Sequence, residues 1–474
     1  MTIDVIHAPG KPLSSLLLSC VLLLLVSVSP AVAAPPAGKP LAESDVLRLL
    51  KEKLPAGTLA ARIHQDRISF AVTKAVVEEL KSAGASQAVL EAVRDAQPLG
   101  LVWSRPAQFT LSEEAFVEVT PLEADGGHDY LACTDDTRHV SLLTNAGGAW
   151  KAYPIAPDLS VGNNVGARVI GLTVHQGVAY VAMVPNLSGN MQLILAYNPG
   201  GNPAGPWLRA AIYSTGSSQL ENPSLAVAGD QLIVAFDDFS TQKRSSNDVF
   251  LGKIPLSALS GSGKVPSASI QDLSAADDVQ GGPTDISPQL FASQGQLGIV
   301  WEKAGKTVVF GQAQIASGLN SLRQTQELNT VSDPTDKSLQ LAAGGSTELV
   351  ARFASDSNDS APGCCAVLVT SNVGGSWSTS SVGRTNLSLE APGLAVSACG
   401  PSLAYVQAMS GNSQRLAVAT LTGGQWRTEE LSEDSANQPR LAATATGLDL
   451  VYISAVGQIT MRSATCYPPP APLN

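Results

Sequence analysis

Acidic residues at recurring positions are the first feature of this chain that could do chemistry. Asp135-Asp136, Asp237-Asp238 and Glu302-Lys303 each close a short apolar run, and Arg352 and Gln407 stand at comparable places. Asn163-Asn164, Arg168, Glu221-Asn222, Asp285, Asp333, Glu390 and Asn437-Gln438 lie just before further such runs. Two carboxyl groups flanking a glycosidic bond are what its hydrolysis requires, one as acid and the other as base or nucleophile. Asp237, Glu302 and Asp135 are the candidates for that role. A wider ligand-contacting set adds Asp136, Arg168, Asp238, Asp285 and Arg352, the two arginines serving to orient an anion. The same carboxylates with neighbouring amides could supply oxygen ligands to Ca2+. The competing reading is that polar residues end strands because turns are solvated, each Asp bonding its own turn.

Other chemistry finds little support. His64, His128, His139 and His175 lack the close spacing of a zinc site, so no metal is expected beyond calcium. His128 and His139 flank Asp135-Asp136 and read as solvated loop residues. The chain has no Gly-x-Ser-x-Gly elbow, no phosphate-binding loop and no dinucleotide glycine pattern, and no organic cofactor is expected.

The elements that must position the polar residues repeat along the chain. Pro223-Ser224-Leu225-Ala226 is followed by the apolar run Leu232 to Phe236, and Pro288-Gln289-Leu290 by Leu297 to Trp301. The unit returns at Leu339-Gln340-Leu341-Ala342, Pro392-Gly393-Leu394-Ala395 and Pro439-Arg440-Leu441-Ala442. These starts lie 65, 51, 53 and 47 residues apart. Weaker copies begin near Phe116 and Val169. A second signature is a Gly-Gly turn followed by Trp: Gly147-Gly148-Ala149-Trp150, Gly374-Gly375-Ser376-Trp377 and Gly423-Gly424-Gln425-Trp426. Glycine allows the positive φ that such a turn demands. A period near fifty with about four strands per unit predicts a mainly β protein, a propeller of seven blades with six as the alternative. The last unit has three clear strands, and Gln108-Phe109-Thr110-Leu111 is left over before the first, so it is expected to complete the last blade and close the ring.

Thr370-Ser371-Asn372-Val373-Gly374-Gly375-Ser376-Trp377 resembles the Asp box, Ser/Thr-x-Asp-x-Gly-x-Thr-Trp, with Asn for Asp and Ser for Thr; Leu143 to Trp150 matches more loosely. On these turns the propeller resembles the sialidase-like, Asp-box (BNR-repeat) superfamily over roughly three quarters of the chain. The resemblance implies a seven-bladed ring and a ligand at one end of it. It does not extend to the sialidase arginines and Tyr nucleophile: Ser104-Arg105-Pro106 lacks the Ile of the family's early motif, and no triad carries over.

Residues 41–97 differ, with helical apolar spacing in four short segments: from a Ser44 cap to Leu54, from Leu59, after Thr73, and from Ser86 to Ala96. Pro55-Ala56-Gly57 separates the first two. With Asp45-Val46, Ile63, Phe70 and Leu80 to Ser86 in place, this module resembles one near the N-termini of many exported bacterial proteins, where it would dock or space.

The first 34 residues read as a secretory signal: Lys11, an apolar run from Leu13 to Val28, a Ser29-Pro30 break and Ala31-Val32-Ala33-Ala34. The expected organisation is a signal at 1–34, a helical module at 41–97 and a propeller at 101–474, with no membrane span after cleavage, exported and monomeric. The net charge of −11, from 29 Lys and Arg against 40 Asp and Glu, argues against a nucleic-acid partner. Charged residues make up only 15%, as strand-and-turn proteins allow.

Without Cys20 the cysteines are Cys133, Cys364, Cys365, Cys399 and Cys466, an odd number. One of the adjacent pair is expected to face the core and the other to bond Cys399 or Cys466. The alternative is a bond between Cys364 and Cys365 themselves. The expected partner of the propeller is a glycan or a protein, bound at its polar end without catalysis. The alternative is a glycan-active hydrolase or lyase using the same carboxylates.

Overall fold

The structure, a computed structural model, describes residues 40–467 except 71, 73, 97, 110–115, 163–167, 186–190, 217–218, 240–246, 261–267, 275–284, 294, 304–306, 318–321, 323–324, 329–338, 345, 356–363, 374, 387–390, 410–413, 423, 432–435 and 455–456. The signal segment, Thr73, Thr110-Leu111, Asn163-Asn164, Asp333 and Glu390 therefore lie outside the described residues. The described chain forms two compact units, 40–68 with 72–97 and 69–71 with 98–467.

The smaller unit contains helices α1 (Glu43–Lys51), α2 (Ala56–Asp66), α3 (Lys74–Ser82) and α4 (Gln87–Asp95). Each buries one apolar stripe, such as Leu59 and Ile63 on α2 and Val89, Leu90 and Val93 on α4. Ser86 caps α4, its hydroxyl accepting from the Val89 amide at 3.4 Å. Ser44 is not the cap of α1: the helix starts after Ala42, whose N–H goes to the Asp45 carboxylate at 3.1 Å. The second helix begins at Ala56, three residues before the expected start, because Pro55 provides a preset entry and Gly57 is tolerated in the first turn. No described helix is long and apolar enough to cross a membrane.

The larger unit is a seven-bladed propeller. Its innermost strands begin at Phe116–Val119, Ile170–His175, Leu220–Ala228, Asp285–Ser293, Gln340–Gly344, Gly393–Ser397 and Ala436–Ala443, opening blades one to seven. Each blade is an antiparallel meander. In the first, Thr120-Pro121 splits the inner strand, and Glu123–Asp125 pairs separately with His128–Asp135. The second glycines of the Gly-Gly-x-Trp segments, Gly148, Gly375 and Gly424, lie between the outer two strands of blades one, five and six at positive φ; Gly374 and Gly423 lie outside the described residues.

Blade seven is completed by chain from the N-terminal side. The closing strand is longer than Gln108-Phe109 and starts earlier: Pro98–Trp103 pairs with Ile459–Tyr467, and Ala107–Phe109 continues along the same strand after a one-residue offset. Ser104-Arg105-Pro106 makes that offset, since Pro106 has no N–H for the ladder. Ser104 still holds register there, its amide donating to the Ser463 carbonyl at 2.7 Å. Ile68–Phe70 adds a further strand beside Pro98–Trp103.

Every second strand is covered on both faces, which explains its unbroken apolar run. Leu232, Val234 and Phe236 pack toward blade two, whereas Ile233 and Ala235 pack toward blade four. The seam between blades seven and one is filled by Val451, Ile453 and Ile459 against Leu131, Cys133 and Leu143. It also holds a carboxyl pair: Asp129 and Asp449 hydrogen-bond each other, and Asn145 Nδ2 donates to Asp129 Oδ2 at 2.9 Å.

The cysteines depart from the expected pairing. Cys364 bonds Cys365, Cys399 bonds Cys466, and Cys133 is a buried thiol. Cys399 lies in the first hairpin of blade six and Cys466 on the third strand of blade seven, so this bond spans two adjacent blades and leaves no distant partner for the adjacent pair.

Candidate ligand site at one end of the channel

The seven innermost strands enclose a channel of about 450 Å3, lined by Leu225, Leu290, Leu341, Leu394 and Leu441 among others, with Thr173, His175, Gln340 and Arg440 as polar members. The leucines are those of the repeated signature, Leu339 standing in the proline's place before Leu341. The recurring feature at the channel end is the residue before the proline. Asn222, Ser287 and Gln438 directly precede Pro223, Pro288 and Pro439, with φ of +53°, +56° and +48°. The strand ladder is offset at each of these points. A non-glycine residue in this region costs about 1–3 kcal/mol and persists only when its surroundings hold it there.

What holds them is a collar of hydrogen bonds between blades. The Asn222 amide donates to the Arg168 carbonyl at 2.8 Å, and the Arg168 amide returns a bond to Asn222 Oδ1 at 3.0 Å. Asn222 Nδ2 and the Ser287 amide both donate to Asp237 Oδ2, each at 2.8 Å. Gln438 Oε1 accepts from the Val119 amide at 3.0 Å. Glu118 Oε1 accepts from the Val169 amide at 3.1 Å. Arg440 donates to the Ala391 carbonyl at 2.8 Å and the Val119 carbonyl at 3.1 Å, joining blades six, seven and one.

Arg168 occupies the middle of this collar. It enters before blade two, yet its Nη2 reaches the carbonyl of Leu339, at the start of blade five, at 3.5 Å. Blades two and five are as far apart as a ring of seven permits, so the guanidinium crosses the end of the channel. Its Nε and Nη1 are shielded from solvent and have no partner among the described residues, and the same holds for Asp237 Oδ1 and Ser287 Oγ. Burial, then the nearby Arg440, lowers the Arg168 pKa to about 10. Asp237 is 0% exposed. Burial raises its carboxyl to about 7, against the Asn222 and Ser287 bonds and the Arg168 charge, which pull it down. Burial likewise raises Glu118 to about 7.

The structure brings Arg168 and Asp237 together, and places Glu302 and Arg352 within electrostatic reach of each other between blades four and five. Three of the remaining candidates have structural partners. Asp238 accepts the Tyr213 hydroxyl at 2.7 Å, and Asp285 accepts from Trp301 Nε1 at 3.1 Å. Asp135 accepts from Thr137 Oγ1 at 2.7 Å and the His139 amide at 2.9 Å, within its own hairpin, and Asp136 is exposed. Glu118, Ser287 and Arg440 escaped sequence reasoning. For Ser287 and Arg440 the signal was the polar residue on either side of the signature proline, which reads as variable in the repeat; Glu118, inside the strand Phe116–Val119, carried no such signal. Among the described residues no cluster of His, Cys, Asp and Glu is arranged for a metal.

No protein-family model and no curated protein matches the chain by sequence. Among solved structures it is distantly similar to Trypanosoma rangeli sialidase in complex with the inhibitor DANA, at 9% identity, 76% of this chain, 60% of that one and a TM-score of 0.41. It is also similar to a polysaccharide lyase, at 9% identity, 78% and 93% coverage and a TM-score of 0.46. A prolyl endopeptidase matches at 14% identity, 76% and 51% coverage and a TM-score of 0.42. The chain spans about six tenths of the sialidase's length. Likeness at this level concerns the ring and says nothing of its chemistry.

Proposed function

We propose that the propeller is a binding ring that takes a glycan at the channel end crossed by Arg168, without cleaving it. The observation that carries this reading is the set of unmet valences gathered there: donors on Arg168 Nε and Nη1, an acceptor on Asp237 Oδ1, and the Ser287 hydroxyl. Leaving such groups buried and unbonded costs about 1–3 kcal/mol each. A polyhydroxylated ligand both donates and accepts, and one that parts the cover over these atoms can meet them together. Of the three candidate catalysts, Asp135 is committed to Thr137 and the His139 amide within its own hairpin, and Asp237 Oδ2 to Asn222 and the Ser287 amide. In this reading the 1–34 leader carries the chain out of the cytoplasm, and the ring, closed by its own N-terminal strand, acts as a monomer.

A second reading, a glycan-active hydrolase or lyase, draws on one observation. Asp237 and Glu118, both raised to about 7, could exchange protons near neutrality. A glycan array on the mature chain, run beside hydrolase and lyase assays on the same glycans, separates the two. The binding reading expects retention of a defined glycan subset without turnover. Turnover abolished by Asp237→Asn would favour the enzyme, and retention of a protein but no glycan would overturn both.

A further inference from the structure

The two disulfides differ in what they can do for the fold. Cys399–Cys466 links positions 67 residues apart, whereas Cys364 and Cys365 are neighbours in sequence. A cross-link stabilises mainly by restricting the unfolded chain, and the effect grows with the segment it closes. The Cys364–Cys365 bond closes no segment, so stapling the fold does not account for it.

Its surroundings are uneven. Cys364 is exposed, while Cys365 is 1% exposed and packs among Phe353, Val367 and Tyr405 in the apolar wall between blades five and six. Cys364 lies on the solvent side, its Sγ 3.6 Å from the Thr385 carbonyl oxygen, so a thiolate arriving from solvent meets Cys364 first and the covered Cys365 is the leaving side. Exchange depends on access and on which sulfur is attacked. The remaining thiol, Cys133, is buried, and burial raises its pKa well above the usual thiol range, which keeps it unreactive.

We propose that Cys364–Cys365 is a thiol–disulfide exchange site, opened by a small-molecule thiol that attacks Cys364 Sγ. The thiolate forms a new S–S bond to Cys364. The Cys364–Cys365 bond breaks, and Cys365 leaves with the electron pair and takes a proton from solvent. A second thiolate then attacks the small-molecule sulfur of the mixed disulfide, releasing the oxidised dimer of the small thiol and the Cys364 thiolate, which is protonated. Two small thiols are oxidised to one disulfide and the protein bond is reduced to two thiols. Cys365 keeps its strand pairing with Ser355 and Thr385, so opening the bond leaves the blade intact.

The test uses the full chain with graded glutathione, acid quench, alkylation under denaturing conditions and mass mapping. Cys364 and Cys365 should become alkylated at a glutathione concentration at least ten-fold below that which opens Cys399–Cys466, with an unchanged melting temperature. An early quench should trap glutathione on Cys364. The proposal is overturned if Cys364–Cys365 opens no earlier than Cys399–Cys466, if both residues are alkylated without added thiol, or if the adduct maps to Cys365.

Discussion

The amide of Ser287 in blade four donates to Asp237 Oδ2 in blade three at 2.8 Å, and Ser287 is in the left-handed region with φ of +56°. One carboxylate oxygen thus fixes a strained residue on the next blade, while accepting from Asn222, a second strained residue, at 2.8 Å. Asp237→Ala removes the acceptor from two buried donors and should cost about 2–5 kcal/mol in urea unfolding. Asp237→Asn keeps one oxygen and should cost less than half as much. Equal losses would show that the collar does not hold these residues.

Stability should fall with rising pH. Asp237, Glu118 and Asp129 are raised to about 7 and Glu123 to about 8, by burial first in each case. Carboxyls in an unfolded chain titrate near 4. The folded ring therefore keeps protons that the unfolded chain has released, so their contribution is complete below about pH 4 and is lost as pH climbs through 7 to 8. Melting temperature should be higher near pH 5 than near pH 8.5. Asp449→Asn removes the like charge facing Asp129 across the seam and should flatten that decline. A rising profile, or one unchanged in the variant, would contradict this.

Two glycines let inner strands approach closely. A Cβ on Gly171 would lie 2.5 Å from the Pro223 carbonyl oxygen, and one on Gly393 2.8 Å from that of Pro439. Backbone cannot yield as a side chain does, so Gly171→Ala and Gly393→Ala should each lose about 1–3 kcal/mol. Gly147→Ala, with nothing within 4 Å of its Cβ, is the control and should be near neutral by thermal melting.

Removing the inter-blade bond should be costly. Cys399→Ser with Cys466→Ser releases a 67-residue segment and should cost about 4 kcal/mol, read as a lower midpoint in denaturant. A loss under about 1 kcal/mol would mean that blades six and seven are held by packing alone.

The ring was legible because each blade must bury its second strand on both faces, and runs such as Leu232 to Phe236 recur at a blade's spacing. Closure from the N-terminal side was legible from a missing fourth strand. Its true start at Pro98 was hidden because Ala96 reads as the end of a helix and Pro is a poor strand residue. Arg168 and Asp237 could be singled out as polar residues at blade starts and strand ends. Their meeting could not, since it depends on how adjacent blades are offset. Arg440 stood at the variable position of the signature, and its reach to Ala391 and Val119 exists only in the closed ring. Cysteine pairing was equally out of reach, because adjacency in sequence does not reveal which way each sulfur turns.

The most direct measurement is calorimetric titration of the best array-selected glycan into wild-type protein and into Arg168→Lys. Lysine keeps the charge but loses the planar donors that cross the channel end. The expected result is affinity reduced about ten- to hundred-fold, the loss of one or two charged hydrogen bonds, with melting temperature within a few degrees of wild type. Unchanged affinity in a folded Arg168→Lys protein would place the ligand elsewhere and contradict the proposed site.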